Sequence, residues 1–319
     1  MADIIDLGSE TNDFRTALIE GLSGRQKSIP CKFLYDERGS ELFEQICELE
    51  EYYPTRTELG IMEEYVDEMA ARIGSRARIV EFGAGSGRKT RLLLGALDEA
   101  ATYMPIEIST SALRQCAESL QGEFPDLEIV PICGDYTEEL NLPDPRENVG
   151  RTAAYFPGST IGNFEPDDAV DFLSRIADLC RPDGGLLIGV DLFKSADVIE
   201  PAYNDSEGVT EEFTSNLLRR ANREAGADFD LEDFEHRAIF NENEGRVEIY
   251  QVSQRDQTVH IGDHAFHFDS GEAILTEHSY KYAPERFRSV AEAAGFEVGE
   301  VWTDDDELFS VWHLAVSRR

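Results

Sequence analysis

The chain has 319 residues, of which 41% are hydrophobic and 10% aromatic, and a formal net charge of −36 from 65 acidic and 29 basic residues. This length and apolar content suffice for one large α/β domain with a substantial insertion, and they exclude an intrinsically disordered chain. The negative charge is spread along the whole chain and repels nucleic acids and anionic membranes, so we expect neither as a partner. Such an acidic shell is typical of proteins from salt-loving cells.

The five cysteines are scattered and include no C-x-x-C pair, which predicts neither a zinc site nor a disulfide framework. The first residues, MADIIDLGSETNDF, lack the basic start and the apolar stretch of a secretory signal. No apolar run approaches the ~18 residues of a transmembrane helix. We therefore expect a soluble, cytoplasmic, monomeric protein.

Residues 1–55 are rich in helical and loop patterns. Thr55 and Glu58 have the spacing of a capping box and predict a helix that ends near residue 73. The following segments alternate between short apolar runs and amphipathic helical patterns. The runs predict five strands, at ARIVEFG, ATYMPIEIS, LEIVPICGD, TAAYFPGSTIGN and LLIGVDLF. Because strands alternate with helices, we expect a parallel sheet with helices on both faces.

The chain after residue 195 has a different pattern. A helix is followed by two predicted hairpins, which turn at Glu244-Gly245 and at Gly262-Asp263, and a helix and strands return near the C-terminus. We predict an α/β fold with a Rossmann-like, doubly wound domain over residues 56–194 and 284–319. The N-terminal flank and the antiparallel insertion, residues 1–55 and 195–283, form a second lobe.

The segment VEFGAGSGRKT places Gly83, Gly85 and Gly87 between a predicted strand and a predicted helix. The spacing is G-x-G-x-G rather than the dinucleotide pattern G-x-G-x-x-G, and alone it also fits a structural turn. Glu107 ends the next strand, where a carboxylate can accept ribose hydroxyls. Asp135 ends the third strand and can accept from an adenine amino group. Two such acids without a basic cluster for phosphates favour S-adenosylmethionine over NAD(P).

Six segments identify the chain more closely: FLYDERGSELFEQI, EYYPTRTE, VEFGAGSGRKT, GSTIGNF, AYNDSEGVTEEF and ILTEHSYKY. In this order they closely resemble the L-histidine N-alpha-methyltransferases of ergothioneine biosynthesis, from about residue 25 to the C-terminus. The resemblance implies a Rossmann-like methyltransferase domain and a second, substrate-binding lobe. It also implies three successive methyl transfers from S-adenosylmethionine to the α-amine of free histidine, which yield hercynine.

The resemblance also implies residues for both ligands. Those for S-adenosylmethionine are Gly83, Gly85, Lys89, Glu107, Asp135 and Tyr136. Those for histidine are Tyr52, Asn163, Tyr203, Ile249, Glu277 and Ser279, and residue chemistry adds Tyr35 and Phe43 as further candidates.

The residue types suit these roles. Glu277 can accept an imidazole N–H while Ser279 serves the other ring nitrogen. The hydroxyls of Tyr52 and Tyr203 can donate to the substrate carboxylate. We expect Asn163 to orient the amine lone pair toward the methyl group, and Tyr52 and Asn163 to be the catalytic residues.

Tyr35 and Phe43 can offer aromatic faces to the growing ammonium, although Phe43 equally fits ordinary packing on a helix face. Three positions depart from the pattern of the family: Glu107 replaces Asp, Tyr136 replaces Phe, and Ile249 replaces Met. Ile249 keeps an apolar wall but changes its shape, so a different amino acid or histidine derivative stays open as the substrate.

Other interpretations have less support. An NAD-dependent dehydrogenase would need the third-glycine spacing, and a non-catalytic binding protein would not need both sets of residues. His260, His264 and His267 lie in the second predicted hairpin. A turn at Gly262-Asp263 pairs His260 with Ala265, and His264 and His267 face opposite sides of one strand. We therefore predict no metal site.

Overall fold

The computed structural model describes residues 3–8, 12–144 and 149–317 of the chain. It divides into two compact units. Unit 1 comprises Met1–Ser9, Pro54–Phe193 and Lys281–Arg319, and unit 2 comprises Glu10–Tyr53 and Lys194–Tyr280.

The elements are numbered in chain order. The strands are β1 (Ile5–Asp6), β2 (Lys27–Ser28), β3 (Ala77–Phe82), β4 (Thr102–Glu107), β5 (Glu128–Ile129), β6 (Ile132–Cys133), β7 (Arg151–Phe156), β8 (Gly185–Asp191), β9 (Phe234–Asn241), β10 (Arg246–Ser253), β11 (Gln257–Ile261), β12 (His264–Phe268), β13 (Ala273–Tyr280), β14 (Phe296–Thr303) and β15 (Phe309–Val316). The α-helices are α1 (Asn12–Ser23), α2 (Glu37–Glu48), α3 (Tyr53–Ile73), α4 (Arg88–Ala96), α5 (Thr110–Glu123), α6 (Pro166–Leu179), α7 (Ala196–Ile199), α8 (Val209–Arg220) and α9 (Pro284–Ala293).

The sheet of unit 1 has the strand order β1-β6-β4-β3-β7-β8-β15-β14, and β5 also pairs with β4. The pairs from β1 to β8 are parallel, whereas β15 runs antiparallel to both β8 and β14. The strands β3, β4 and β8 are buried along nearly their whole length, as expected for a parallel sheet covered on both faces. This arrangement confirms the predicted Rossmann-like, doubly wound sheet.

Two features of this sheet differ from the prediction. The third predicted strand is divided into β5 and β6, with Pro131 between them, because proline supplies no N–H to a ladder. In addition, β1 pairs in parallel with β6, with Ile5 opposite Ile132. The N-terminal strand thus extends the sheet of unit 1 instead of belonging to the second lobe, where the sequence placed residues 1–55.

The start of α3 also differs from the prediction. Thr55 and Glu58 do not form a capping box, because the helix begins at Tyr53 and both residues lie inside it. Glu58 is instead 1% exposed and faces the interior of unit 1.

Unit 2 contains a four-stranded sheet in the order β2-β13-β10-β9 and a hairpin of β11 and β12. The two predicted hairpins are confirmed, since β9 and β10 are antiparallel and β11 and β12 flank Gly262-Asp263. Helices α1, α2 and α8 contribute Leu18, Leu42 and Leu217 to a core that also contains Ile274 of β13. No helix in the described ranges is long and apolar enough to cross a membrane.

Candidate cofactor and substrate sites

The glycine turn of unit 1 follows β3, which lies between β4 and β7 where the strand order reverses. Ligands of doubly wound sheets bind at such a switch point, beyond the carboxyl ends of the strands. Gly83 and Gly85 have positive φ angles of 75° and 48°, a region that favours glycine. A Cβ added to Gly85 would meet no atom within 4 Å, so open space lies over this part of the backbone.

Glu107 ends the neighbouring strand β4 and is tied to this turn. Its Oε1 accepts hydrogen bonds from the backbone N–H groups of Ile108 (2.9 Å) and Ser109 (3.2 Å). Burial raises the pKa of Glu107, and the hydrogen bonds from the backbone of Ser109, Gly85 and Ile108 oppose this rise. The carboxyl group of Glu107 is thus hydrogen-bonded to the glycine turn, at the edge of the sheet where a ribose would bind.

Asp135 and Tyr136 follow the short strand β6. The Oδ1 of Asp135 accepts from the N–H (2.9 Å) and the hydroxyl (2.6 Å) of Thr137, which closes a local turn. The ring of Tyr136 lies 6.2 Å from that of Phe82 and 5.8 Å from that of Phe156, and a Cβ on Gly83 would contact it at 3.8 Å. Tyr136 therefore forms an aromatic wall beside the glycine turn, suited to a flat heterocycle.

The sequence did not predict the other members of this wall. Phe156 ends β7 and its ring packs tilted against that of Phe172 of α6 at 5.1 Å between centroids, and Phe172 stacks on Phe164 at 4.7 Å. Phe82 directly precedes the first glycine, and Phe164 follows the segment STIGN. Phe82, Phe156 and Phe164 each lie at the end of a strand or a motif, a signal that a search for polar ligand residues does not detect, whereas Phe172 lies within α6.

Lys89, predicted to bind the cofactor, is in the first turn of α4 and forms an ion pair with Glu58 of α3 (Nζ to Oε2, 2.5 Å). The same Oε2 accepts from the backbone N–H of Gly158 at 2.8 Å. Glu58 also fills the space beside Gly189 of β8, where a Cβ would lie 2.2 Å from its Oε1. Glu58 thus links the glycine-turn helix to the loop that follows β7, a role hidden by the capping-box interpretation.

Asn163 ends a 3-10 helix, Thr160–Asn163, in this loop after β7. Ser159, which precedes the helix, has a φ of 57°, and its hydroxyl accepts from the N–H of Asp191 at 2.8 Å. A Cβ on Gly158 would lie 3.7 Å from the Nζ of Lys89. The half-buried Asn163 therefore lies in a segment that is hydrogen-bonded to β8 through Ser159. The segment begins beside Lys89, which is predicted to bind the cofactor.

The aromatic residues predicted for the substrate lie together in unit 2. Ring centroids are 5.6 Å apart for Tyr35 and Phe43, 6.2 Å for Phe43 and Tyr52, and 6.3 Å for Tyr52 and Tyr203. Phe43 also contacts Phe213 of α8 at 6.0 Å, so it has the packing role that the sequence left open. Its role toward an ammonium stays a prediction.

The pKa of the Tyr52 hydroxyl is raised well above its ordinary value of 10.0. Burial is the main cause, and negative charge on the nearby groups of Tyr203, Cys47, Tyr35 and Glu277 would act in the same direction. Tyr52 therefore stays protonated at neutral pH and is a hydrogen-bond donor rather than a base.

The sheet of unit 2 brings Glu277, Ser279 and Ile249 to one face. In the pairing of β10 with β13, Ile249 lies opposite Glu277 and Val247 opposite Ser279. The Ser279 hydroxyl is hydrogen-bonded to the Tyr203 hydroxyl at 2.9 Å. Ile249 is 2% exposed, whereas Glu277 is half-buried and accessible to a ligand. A carboxylate and a hydroxyl beside an apolar wall are suited to a small ring that carries N–H groups.

The histidines of the β11–β12 hairpin do not converge. His260 pairs with Ala265, as predicted, and its Nδ1 contacts Asp228 at 3.0 Å. His267 contacts Asp269, and His264 stacks on Phe266. Among the residues that the structure describes, no group of three or more His, Cys, Asp or Glu side chains could hold a metal ion.

Residues 14–316 match the model of a protein family described as histidine-specific methyltransferases that depend on S-adenosylmethionine. The chain belongs to this family. It is 39% identical over 310 residues to a histidine N-alpha-methyltransferase of Mycolicibacterium smegmatis, with 95% of each chain covered. It is 40% identical to a histidine N-alpha-methyltransferase of Mycobacterium tuberculosis, with 91% of each covered. A Neurospora crassa relative, ergothioneine biosynthesis protein 1, is 33% identical over 99% of this chain and 37% of its own length.

Membership of this methyltransferase family confirms the predicted resemblance, enzyme class and cofactor, S-adenosylmethionine. It also decides against the NAD-dependent dehydrogenase that the glycine turn alone had left open. The residues of unit 1 fit this cofactor, since the backbone at Gly85 faces open space, an acid ends β4, and the ring of Tyr136 lies beside Gly83.

Proposed function

We propose that this methyltransferase transfers three methyl groups in succession from S-adenosylmethionine to the α-amine of free L-histidine, forming hercynine for ergothioneine biosynthesis. The observation that carries the proposal is the grouping of Glu277, Ser279 and Ile249 on one face of the unit 2 sheet, with the Tyr203 hydroxyl bonded to Ser279. The similarity to histidine N-alpha-methyltransferases over 95% of the chain supports it.

In the proposed complex, unit 1 binds the cofactor. Glu107 accepts the ribose hydroxyls, Asp135 accepts from the adenine amino group, and Tyr136 covers the adenine ring. Gly83 and Gly85 leave room for the ligand against the backbone, and Lys89 contributes a cation whose position is set by Glu58. Bound S-adenosylmethionine supplies a methyl group that its sulfonium already activates.

The imidazole of histidine is recognised in unit 2. The carboxylate of Glu277 accepts one ring N–H, the Ser279 hydroxyl serves the other nitrogen, and Ile249 supports the ring on its apolar side. A site built to pair a ring N–H rejects side chains that lack one, because its own polar groups would then be left unpaired.

The remaining residues orient the amino acid. Tyr52 and Tyr203 donate to the substrate carboxylate, and the raised pKa of Tyr52 keeps its proton in place for this purpose. The amide oxygen of Asn163 accepts from the amine and directs its lone pair, because in-line transfer depends mainly on alignment. Tyr35 and Phe43 present aromatic faces to the ammonium that forms as methyl groups accumulate.

Ile249 is the observation that favours a second candidate substrate. The resemblance implies methionine at this position, and the β-branched side chain of Ile249 is stiffer and of different shape. A different amino acid or a histidine derivative is therefore the alternative substrate, with the same cofactor.

We further propose that the enzyme acts as a monomer in the cytoplasm on a small-molecule substrate, without nucleic acid or membrane. The net charge of −36 supports this proposal, because strong like charge opposes self-association and the binding of polyanions.

The proposal is tested by mass spectrometry of products after the purified protein is incubated, at high salt, with S-adenosylmethionine and all standard amino acids. We expect histidine alone to gain three methyl groups. Methylation of another amino acid would contradict the proposed substrate but not the enzyme class. Absence of any methyl transfer at every salt concentration would contradict the proposed activity.

A further inference from the structure

The strand that carries Glu277 contains a β-bulge directly before it. On β10, Ile249 and Tyr250 are consecutive, but their partners on β13 are Glu277 and Leu275. Thr276 is therefore an extra residue with no partner of its own in the ladder. Bulges of this kind increase the local twist and redirect the side chain that follows them.

The bulge determines which face of the sheet Glu277 occupies. Ile274 lies opposite Gln251 and belongs to the core of unit 2, while Glu277 lies opposite Ile249. Because Gln251 and Ile249 are two residues apart on one strand, Ile274 and Glu277 point to the same face. In a regular strand, residues three apart would point to opposite faces. If β13 were regular and kept Ile274 in the core, Glu277 and Ser279 would move to the other face.

The side chain of Thr276 holds this irregularity in place. Thr276 is 2% exposed, and its hydroxyl donates to the carbonyl oxygen of Ile249 at 3.0 Å. The hydrogen bond therefore joins the bulge to the residue whose side chain stands opposite Glu277. One buried contact fixes the carboxylate and the apolar wall relative to each other.

We propose that Thr276 is a positioning residue for substrate recognition: through its bond to the Ile249 carbonyl it aligns Glu277 and Ile249 around the imidazole. This inference rests on the proposed function, because it takes Glu277 as the partner of the imidazole. Because the Thr276 hydroxyl is buried against the Ile249 carbonyl, we expect its effect to fall on histidine affinity rather than on the methyl transfer itself.

The test compares Thr276→Val, which keeps the branched shape but lacks the hydroxyl, with Thr276→Ser, which keeps the hydroxyl. For Thr276→Val we expect the histidine KM to rise roughly three- to tenfold, the range that loss of one neutral hydrogen bond gives. The kcat and the KM for S-adenosylmethionine should stay within twofold of the wild type. Thr276→Ser should restore the histidine KM, and Thr258→Val, at an exposed strand position of the same unit, is the matched control.

A second measurement does not depend on turnover. Histidine binding is followed by calorimetry in the presence of S-adenosylhomocysteine, with thermal unfolding of each variant recorded beside it. Weaker histidine binding by Thr276→Val, with unchanged binding of S-adenosylhomocysteine, supports the inference.

Three outcomes overturn it. Unchanged histidine binding and KM in Thr276→Val would show that the hydroxyl does not position the site. Loss of kcat and of binding of both ligands together with lowered thermal stability, unrescued by serine, would show a structural role only. A wild-type protein that neither binds nor methylates histidine would instead refute the proposed function, and this inference with it.

Discussion

The two units hold their candidate sites in different ways. In unit 1 the predicted cofactor residues follow the carboxyl ends of neighbouring parallel strands: Gly83 after β3, Glu107 at the end of β4, and Asp135 after β6. Apart from Asn163 of unit 1, the predicted substrate residues belong to unit 2, where they come from distant parts of the chain, from residue 35 to residue 279, and meet through ring contacts and strand register.

This difference explains what each set of residues can specify. Strand ends of a doubly wound sheet present backbone N–H groups and short acidic side chains to any nucleoside, so unit 1 has a general design. The antiparallel sheet and aromatic cluster of unit 2 have no such general ligand. Selectivity for the amino acid should therefore depend on unit 2, and affinity for the cofactor on unit 1.

The largest expected effect comes from a reciprocal pair of variants. Glu277→Ala should lower kcat/KM for histidine by roughly 10²–10³-fold, because a buried ring N–H loses a charged partner. Its affinity for S-adenosylhomocysteine should be unchanged. Glu107→Ala should weaken S-adenosylhomocysteine binding by roughly 10–100-fold, since the hydrogen bonds between its carboxyl group and the ribose hydroxyls are lost. Its preference for histidine over other amino acids should be unchanged.

The matched controls are exposed glutamates of the same units, Glu235→Ala on β9 and Glu118→Ala on α5, which should leave both quantities within twofold of the wild type. Calorimetry measures cofactor affinity, and competition between amino acids measures selectivity. If Glu277→Ala weakened S-adenosylhomocysteine binding as much as it weakened activity on histidine, the proposed division of roles would be wrong.

Much of unit 1 could be predicted from the sequence because its signals are local. The buried strands β3, β4 and β8 appear as continuous apolar runs, and Pro166 with Asp167 and Asp168 marks the start of α6. The hairpin turn at Gly262-Asp263 in unit 2 was predictable for the same reason.

Features that depend on a distant partner were not predictable. The sequence shows Glu58 and Lys89 but not that α3 brings one against the other. The pairing of Ile5 with Ile132 depends on a strand of two residues, too short to have a periodic pattern. The bulge at Thr276 is defined only by register with β10, so the sequence of β13 alone does not reveal it. For the substrate residues, the resemblance to a family supplied what local patterns could not.

The next expected effect concerns a buried ion pair of unit 1. The Nζ of Lys281 lies 2.7 Å from the Oδ2 of Asp191, and the side chains are 1% and 0% exposed. Lys281→Met should lower the free energy of unfolding by about 3–5 kcal/mol, because Asp191 would remain buried without this cation. Urea denaturation followed by circular dichroism at constant salt measures the change.

The comparison is with a pair of unit 2, Arg38 and Glu212, whose side chains are both almost half exposed at a separation of 2.8 Å. Arg38→Met should have no measurable effect on the urea midpoint, because solvent screens this pair. Equal losses for Lys281→Met and Arg38→Met would refute the distinction between the two pairs. Replacing both Lys281 and Asp191 by apolar residues should recover most of the loss.

The last expected effect is a dependence of stability on pH that differs in sign between two buried groups, Glu81 in unit 1 and His236 in unit 2. Glu81 of β3 accepts from the hydroxyls of Thr90 and Tyr103, and burial raises its pKa from 4.5 to about 8. Between these values the unfolded chain has an ionised Glu81 while the folded chain keeps the proton. The folded state thus binds more protons, and its free energy of unfolding falls as pH rises, by at most about 1.4 kcal/mol per pH unit.

In unit 2, burial lowers the pKa of His236 below 6.5, although its ring is hydrogen-bonded to the Tyr203 carbonyl at 2.9 Å. Here the unfolded chain binds the extra proton, so the contribution of His236 is complete above pH 6.5 and is lost as pH falls.

Glu81→Gln should therefore flatten the stability curve up to about pH 8, and His236→Gln should flatten it only below pH 6.5. Urea titrations at intervals of half a pH unit distinguish the two. A Glu81→Gln curve parallel to the wild type up to pH 8 would mean that Glu81 is already ionised in the folded state, and the glycine turn would then rest on a buried negative charge.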